Sequence, residues 1–204
     1  MSASELLRDG LLESVAVLVV DAGEGPSLGR AVRETCERLG ARVHAHVYET
    51  AVEDDTMDRV PAAITYVPAL DGASPPGGLD MLVVDAAALF AAEGLRGCLD
   101  GAWDATRAIV NGVFLPSDNG GRIVYLAPAP GAGEQADAAR AGLENLARTL
   151  SVEWARHEIT VVTIAPGDTT APGEVGALVA YLASPAGAYF SGCQLDLRGA
   201  VVAS

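Results

Sequence analysis

Hydrophobic positions along the chain switch repeatedly between unbroken apolar runs and stripes at helical spacing. "SVAVLVV" (14–20) is short, β-branched and closed by turn residues, which predicts a strand buried on both faces. "SLGRAVRETCERLG" (27–40) sets Leu28, Val32, Cys36 and Leu39 on one helical face and stops at a glycine. "ARVHAHVYE" (41–49), "AAITYVPAL" (62–70) and "LDMLVVDAA" (79–87) predict three more strands. From Gly94 to Leu115, the positions Leu95, Leu99, Ala102, Thr106, Ile109 and Val113 alternate steps of four and three, one continuous helical stripe. "GRIVYLAP" (121–128) is a fifth strand. A helix over 134–156 carries Leu143, Leu146, Leu150 and Trp154 on one side. "EITVVTIAPG" (158–167), a helix over "EVGALVAYLAS" (174–184) and a last strand in "GCQLDLRG" (192–199) complete the order.

Strands alternating with helices predict right-handed crossovers and a doubly wound parallel sheet covered on both sides, a three-layer α/β fold. At 204 residues this is one domain, 1–204; "DGASPPGG" (71–78) is too short to separate two. Half the residues are apolar and 5% aromatic, in keeping with a close-packed α/β domain. The net charge of −14 repels nucleic acid and anionic lipid, so neither is an expected partner. Cys36, Cys98 and Cys193 lie far apart without metal or disulfide spacing. The first twenty residues carry Glu5, Asp9 and Glu13 against Arg8, unlike a secretory leader, and a cytoplasmic location is expected.

The order of elements, with "DAGEGPSLGRA", "LDMLVVDAA", "GRIVYLA", "RAGLENLARTLSVEWA", "VVTIAPG" and "LVAYLASPAGAYFSGCQLDLRG", resembles the short-chain dehydrogenase/reductase family, in particular its ketoreductase-like members. The resemblance implies a Rossmann-like fold binding NAD or NADP. The family's glycine-rich turn matches Ala22-Gly23 and then Ser27-Leu28-Gly29, with Ser27 where the middle glycine stands. Gly23, Ser27, Leu28 and Gly29 are therefore the candidate cofactor residues. Val47 takes the place of the acid that holds the adenosine ribose, with Glu49 two residues on. Only "LDGASPPGG" connects the third and fourth strands, which shortens the region that walls the adenine. The family's NNAG motif falls on Asp85-Ala86-Ala87-Ala88, where Asp85 is expected to cap the following helix.

The family's proton-transfer groups map on Ala136 and Arg140 for its tyrosine and lysine, Ala127-Pro128 for its serine and Cys98 for its asparagine. Ala136 has nothing to donate, Arg140 stays charged and is expected as a surface or interface cation, and Cys98 reads as a buried thiol. "DTTAPGEVG" leaves no room for the substrate lid that follows "APG" in the family. His44 and His46 share a strand face without a third ligand, so no metal site is expected. His157 reads as a helix-end cation.

These absences predict a chain that is not itself an enzyme and needs no cofactor. It is expected to serve as a structural or regulatory subunit, paired with itself or with an active reductase. The alternative is an NAD(P)-dependent oxidoreductase, or a sensor of nicotinamide or acyl thioester in the same cleft. In the resembled family the two long helices pair across a dimer axis. Helices 94–115 and 134–156 are the expected interface, with small Ala138, Ala139, Ala141, Gly142 and Ala147 for close approach and Trp103 and Trp154 as candidate anchors.

Overall fold

The computed structural model describes residues 7–23, 27–48 and 78–199. The strand expected at 62–70, Glu49 and nearly all of the 71–78 connector lie outside the described residues.

Strands β1 (Ala16–Asp21), β2 (Arg42–Val47), β3 (Met81–Val84), β4 (Gly121–Leu126), β5 (Ile159–Ala165) and β6 (Cys193–Asp196) form one sheet in the order β2-β1-β3-β4-β5-β6. Every neighbouring pair is parallel. Such strands need apolar residues on both sides, which is why β1 and β3 are buried at every position. Alternate side chains serve opposite faces. Leu18, Val20, Leu82, Val84, Ile123 and Val161 pack into one core, and Val17, Val19, Met81, Val83, Val124 and Ile164 into the other.

Helices α1 (Leu28–Arg38) and α5 (Pro172–Ala183) cover the second core; α2 (Ala86–Ile109) and α4 (Ala136–Glu153) cover the first. The inner face of α4 buries Ala139, Leu143, Ala147 and Leu150, about 1.5–3 kcal/mol for each leucine. Thr163 Oγ1 on β5 donates to the Leu143 carbonyl at 3.1 Å, satisfying a hydroxyl that would otherwise be orphaned in this core. Tyr125 is fully buried, its hydroxyl 2.8 Å from Thr106 Oγ1.

The second helical stretch differs from the sequence expectation. It begins at Ala86, not Gly94, because Asp85 caps it; Gly94, at φ 70 and ψ −160, kinks the element without ending it. It then runs through a wide turn, Val110–Phe114, into the short α3 (Leu115–Ser117). The stretch after α4 closes in a tight turn, Ala155–His157, and Glu158 at φ 57 turns the chain into β5. No described helix is long and apolar enough to cross a membrane.

The chain leaves β1 by α1 on one face of the sheet and leaves β3 by α2 on the other. The two strands are neighbours, so their connections diverge and open a crevice at their carboxyl ends. The depth of that crevice depends on how α1 is seated. Gly176 of α5 meets α1 so closely that a Cβ there would lie 2.8 Å from the Ala31 carbonyl oxygen and 2.5 Å from Thr35 Oγ1. A backbone atom cannot yield as a side chain does. Gly176→Ala is expected to lower the unfolding free energy by about 1–3 kcal/mol. An unchanged urea midpoint with an unchanged slope would contradict this packing.

Candidate functional site

The crevice is built from residue types that the local backbone demands. Gly23 follows β1 at φ +111, a left-handed conformation that strains any side-chain-bearing residue, and among the described residues a Cβ there would meet Val47 Cγ1 at 3.6 Å. Ser27 caps α1, its Oγ accepting from the Arg30 amide at 3.1 Å. A Cβ on Gly29 would stand 3.1 Å from Val19 Cγ1 and 3.2 Å from Asp85 Oδ2, so this glycine permits the close seating of α1 on the strand ends. The resulting cleft of about 430 Å³ is lined by Ser27, Leu28, Arg30, Asp85, Ala88 and Pro172, among others. Of the four candidate residues, Ser27 and Leu28 form its wall, Gly29 packs behind them and Gly23 forms the turn that leaves β1.

Asp85 is the polar centre of the crevice. It is fully buried, with Oδ1 accepting from the Ala88 amide at 3.0 Å and Oδ2 from the Gly29 amide at 2.6 Å. It caps α2 as expected and also holds α1, a contact across 56 residues of sequence that no local pattern announces. Burial raises its pKa; the amide bonds from Gly29 and Ala88 work against that rise, Asp21 adds to it, and Ser27 opposes it. Asp21, at the end of β1, is 3% exposed. Its Oδ1 accepts from the Gly23 amide at 3.0 Å, while its Oδ2 is buried without a hydrogen-bond partner, 3.8 Å from Arg33 Nη2.

A second polar group lies at the carboxyl ends of β4 and β5. Arg140 is 5% exposed, so the expectation of a surface or interface cation is corrected. Its Nη1 donates to the carbonyls of Pro128 at 2.8 Å and Pro166 at 2.7 Å, tying together the segments that leave the two strands. The reason lies in the backbone: both carbonyls follow a strand end, where no ladder partner remains. Nη2 is buried without a partner. Burial and then the Arg198 guanidinium lower the Arg140 pKa, against the pull of Asp196, Asp137 and Asp168. Asp168 accepts from the Gly131 amide at 2.7 Å, and Thr170 Oγ1 accepts from Gly167 at 2.9 Å.

Ala136 and Ala127 are fully buried beside this group. Cys98 is buried in α2, and burial, then Asp85, pushes its thiol up to about 12, far from a reactive thiolate at neutral pH. Val47 ends β2 half-exposed. His44 and His46 lie on that strand, and among the described residues no group of three or more His, Cys, Asp or Glu side chains is placed to hold a metal.

No protein-family model and no curated protein matches the chain. Solved structures do. A citronellol catabolism dehydrogenase of Pseudomonas aeruginosa PAO1 aligns at TM-score 0.71 and 24% identity over 96% of this chain and 98% of its own. A short chain dehydrogenase from Mycobacterium smegmatis aligns at TM-score 0.72 and 24% identity over 97% and 99%. The chain therefore has the α/β Rossmann-like fold of short-chain dehydrogenases. Both matches are dehydrogenases aligned along nearly their whole length, which overturns the expectation of a non-enzyme. The expectation that no cofactor is needed loses its support with it.

The fold implies a nicotinamide dinucleotide, and the described residues fit one in most respects. The crevice lies at the switch of strand order, a left-handed glycine turn and a capped helix N-terminus border it, and alanines line its floor. Asp85 is the opposing feature, since it spends the Gly29 amide on a carboxylate of this chain.

The two carbonyl bonds of Arg140 hold segments that no regular hydrogen bonding joins. Arg140→Ala orphans both carbonyls and is expected to cost about 2–4 kcal/mol of unfolding free energy. Chemical denaturation of the variant beside wild type measures it; a cost within about 0.5 kcal/mol would show that the clamp is idle.

Proposed function

We propose that this chain binds a nicotinamide dinucleotide in the crevice between β1 and β3 and acts as an NAD(P)-dependent oxidoreductase. The observation that carries the reading is the crevice itself: a cleft of about 430 Å³ at the strand-order switch, walled by Ser27 and Leu28 with Gly29 packed behind them and Gly23 at the end of β1, on a dehydrogenase fold. When bound, the nicotinamide ring supplies or accepts a hydride. Gly23 itself places no side chain where the chain leaves β1, and the first turn of α1 would offer its positive dipole end to the phosphates. Ser27 holds that first turn in place. Asp85 fixes α1 against α2, so the two walls of the crevice keep their spacing. Arg140 orders the segments after β4 and β5, beside which the reacting end of a substrate would lie. With a methyl at Ala136, proton exchange with the substrate passes through water.

The proposal extends to assembly. Trp103 on α2 is 40% exposed and Val152 on α4 is 76% exposed, apolar surface consistent with a neighbouring chain of the same fold against 94–115 and 134–156. Gly142 is already spent inside the chain, where a Cβ would meet Leu99 Cδ2 at 2.8 Å.

Titration of the purified chain with NAD and NADP, each oxidised and reduced, tests the reading directly. Ser27→Asp keeps a good helix cap but puts a carboxylate where the phosphates would sit. It is expected to weaken dinucleotide binding by about tenfold or more while the melting temperature holds. Absence of binding for all four forms would sink the reading. Equal affinity of wild type and Ser27→Asp would move the site elsewhere.

A further inference from the structure

Two buried carboxylates flank the crevice at the ends of adjacent strands, Asp21 on β1 and Asp85 after β3. Each, when ionised, brings negative charge to the place where α1 offers its amides. Asp85 already accepts the Gly29 amide at 2.6 Å, and Asp21 Oδ2 is buried with no hydrogen-bond partner. Among the described residues, Arg33 Nη2 pairs with Asp21 Oδ2 at 3.8 Å, and Arg30 is turned to Glu34 at 3.3 Å, so no cation is paired with Asp85 itself. A phosphate arriving here meets like charge across a low-dielectric gap.

We propose that Asp85, with Asp21 beside it, is a charge gate on this crevice: dinucleotide phosphates reach full affinity only when a proton is taken up on the Asp85 carboxyl. The inference rests on the dinucleotide reading of the crevice. The proton comes from solvent and no covalent bond changes. A neutral carboxyl keeps its carbonyl oxygen as a full acceptor for one of the two amides, Ala88 or Gly29, while its hydroxyl oxygen accepts from the other only weakly. Among the described residues, Asp21 of β1 and Ser27 before α1 act on Asp85 directly, and Cys98 of α2 feels its charge; Arg30 and Glu34 of α1 line the same cleft, Arg33 pairs with Asp21, and Pro172 of α5 adds no charge. Burial already favours the protonated form, in the direction the gate needs.

The probe is oxidised NAD, whose phosphates carry no group titrating near neutrality, followed by calorimetry from about pH 8 to about pH 5 in two buffers of different ionisation heat. Wild type is expected to bind tighter as pH falls, by up to about tenfold per pH unit, with close to one proton taken up per dinucleotide bound. Asp85→Asn is expected to bind at least about tenfold tighter than wild type near pH 8 and to lose that dependence. Circular dichroism checks that it folds. Asp21→Asn is the second variant: it removes the neighbouring charge and is expected to tighten binding near pH 8 while keeping the proton uptake. Binding by wild type without proton uptake, or the same pH dependence in wild type and Asp85→Asn, overturns the gate and leaves the dinucleotide reading standing. Failure of wild type and both folded variants to bind overturns both.

Discussion

One carboxylate joins the two layers of this molecule at the edge of its sheet. Asp85 accepts an amide from the first turn of α1 and another from the first turn of α2, helices on opposite faces. Two helix dipoles point their positive ends at it, which favours its charge, while complete burial disfavours that charge. The amides do not fully compensate, and burial wins. The arrangement requires Gly29, since a Cβ there would press on Asp85 and Val19 together. The crevice between β1 and β3 is thus held by a carboxyl whose charge, whenever it is ionised, falls inside the crevice. A chain bearing −14 overall has little background positive potential to relieve that load.

Much of the fold was legible because parallel strands buried on both faces leave unbroken apolar runs. "SVAVLVV" marks β1 and "EITVVTIAPG" marks β5 to within a few residues. The start of α2 was missed for the same physical reason. Its opening, "AAALFAA", has no polar face, so it shows no helical period and reads as the tail of β3. Gly94 then resembles a boundary, although it only bends the element. Asp85 was legible as a cap because a cap is a local pattern.

The rest of the site is not local. The bond from Gly29 to Asp85 spans 56 residues, and the bonds from Arg140 span 12 and 26. Arg140 stands on a helix among alanines, where a charged residue normally faces water, and its partners are backbone carbonyls that carry no residue signature. Burial of the guanidinium follows from those carbonyls, which needed a donor at the strand ends. The expectation of a non-enzyme failed in a related way. It rested on four side chains missing from matched positions, and missing side chains say nothing about what a fold can still bind.

The proposed oxidoreductase chemistry would work here under a definite constraint. A positioned proton donor contributes about 10²–10⁴ to such reactions, and the described groups near the carboxyl ends of β4 and β5 supply none in an obvious form. Arg140 stays protonated through any working pH. The Cys98 thiol sits near 12, and the Tyr125 hydroxyl is pushed up by burial and held by Thr106. Asp168 accepts the Gly131 amide, which orders the loop. Fixed charge and orientation remain. The guanidinium of Arg140 is already desolvated and locked by two carbonyls, so a negative charge forming nearby would need no reorganisation of it. For the proposed reaction, that inventory would offer preorganised electrostatics in place of a positioned proton donor.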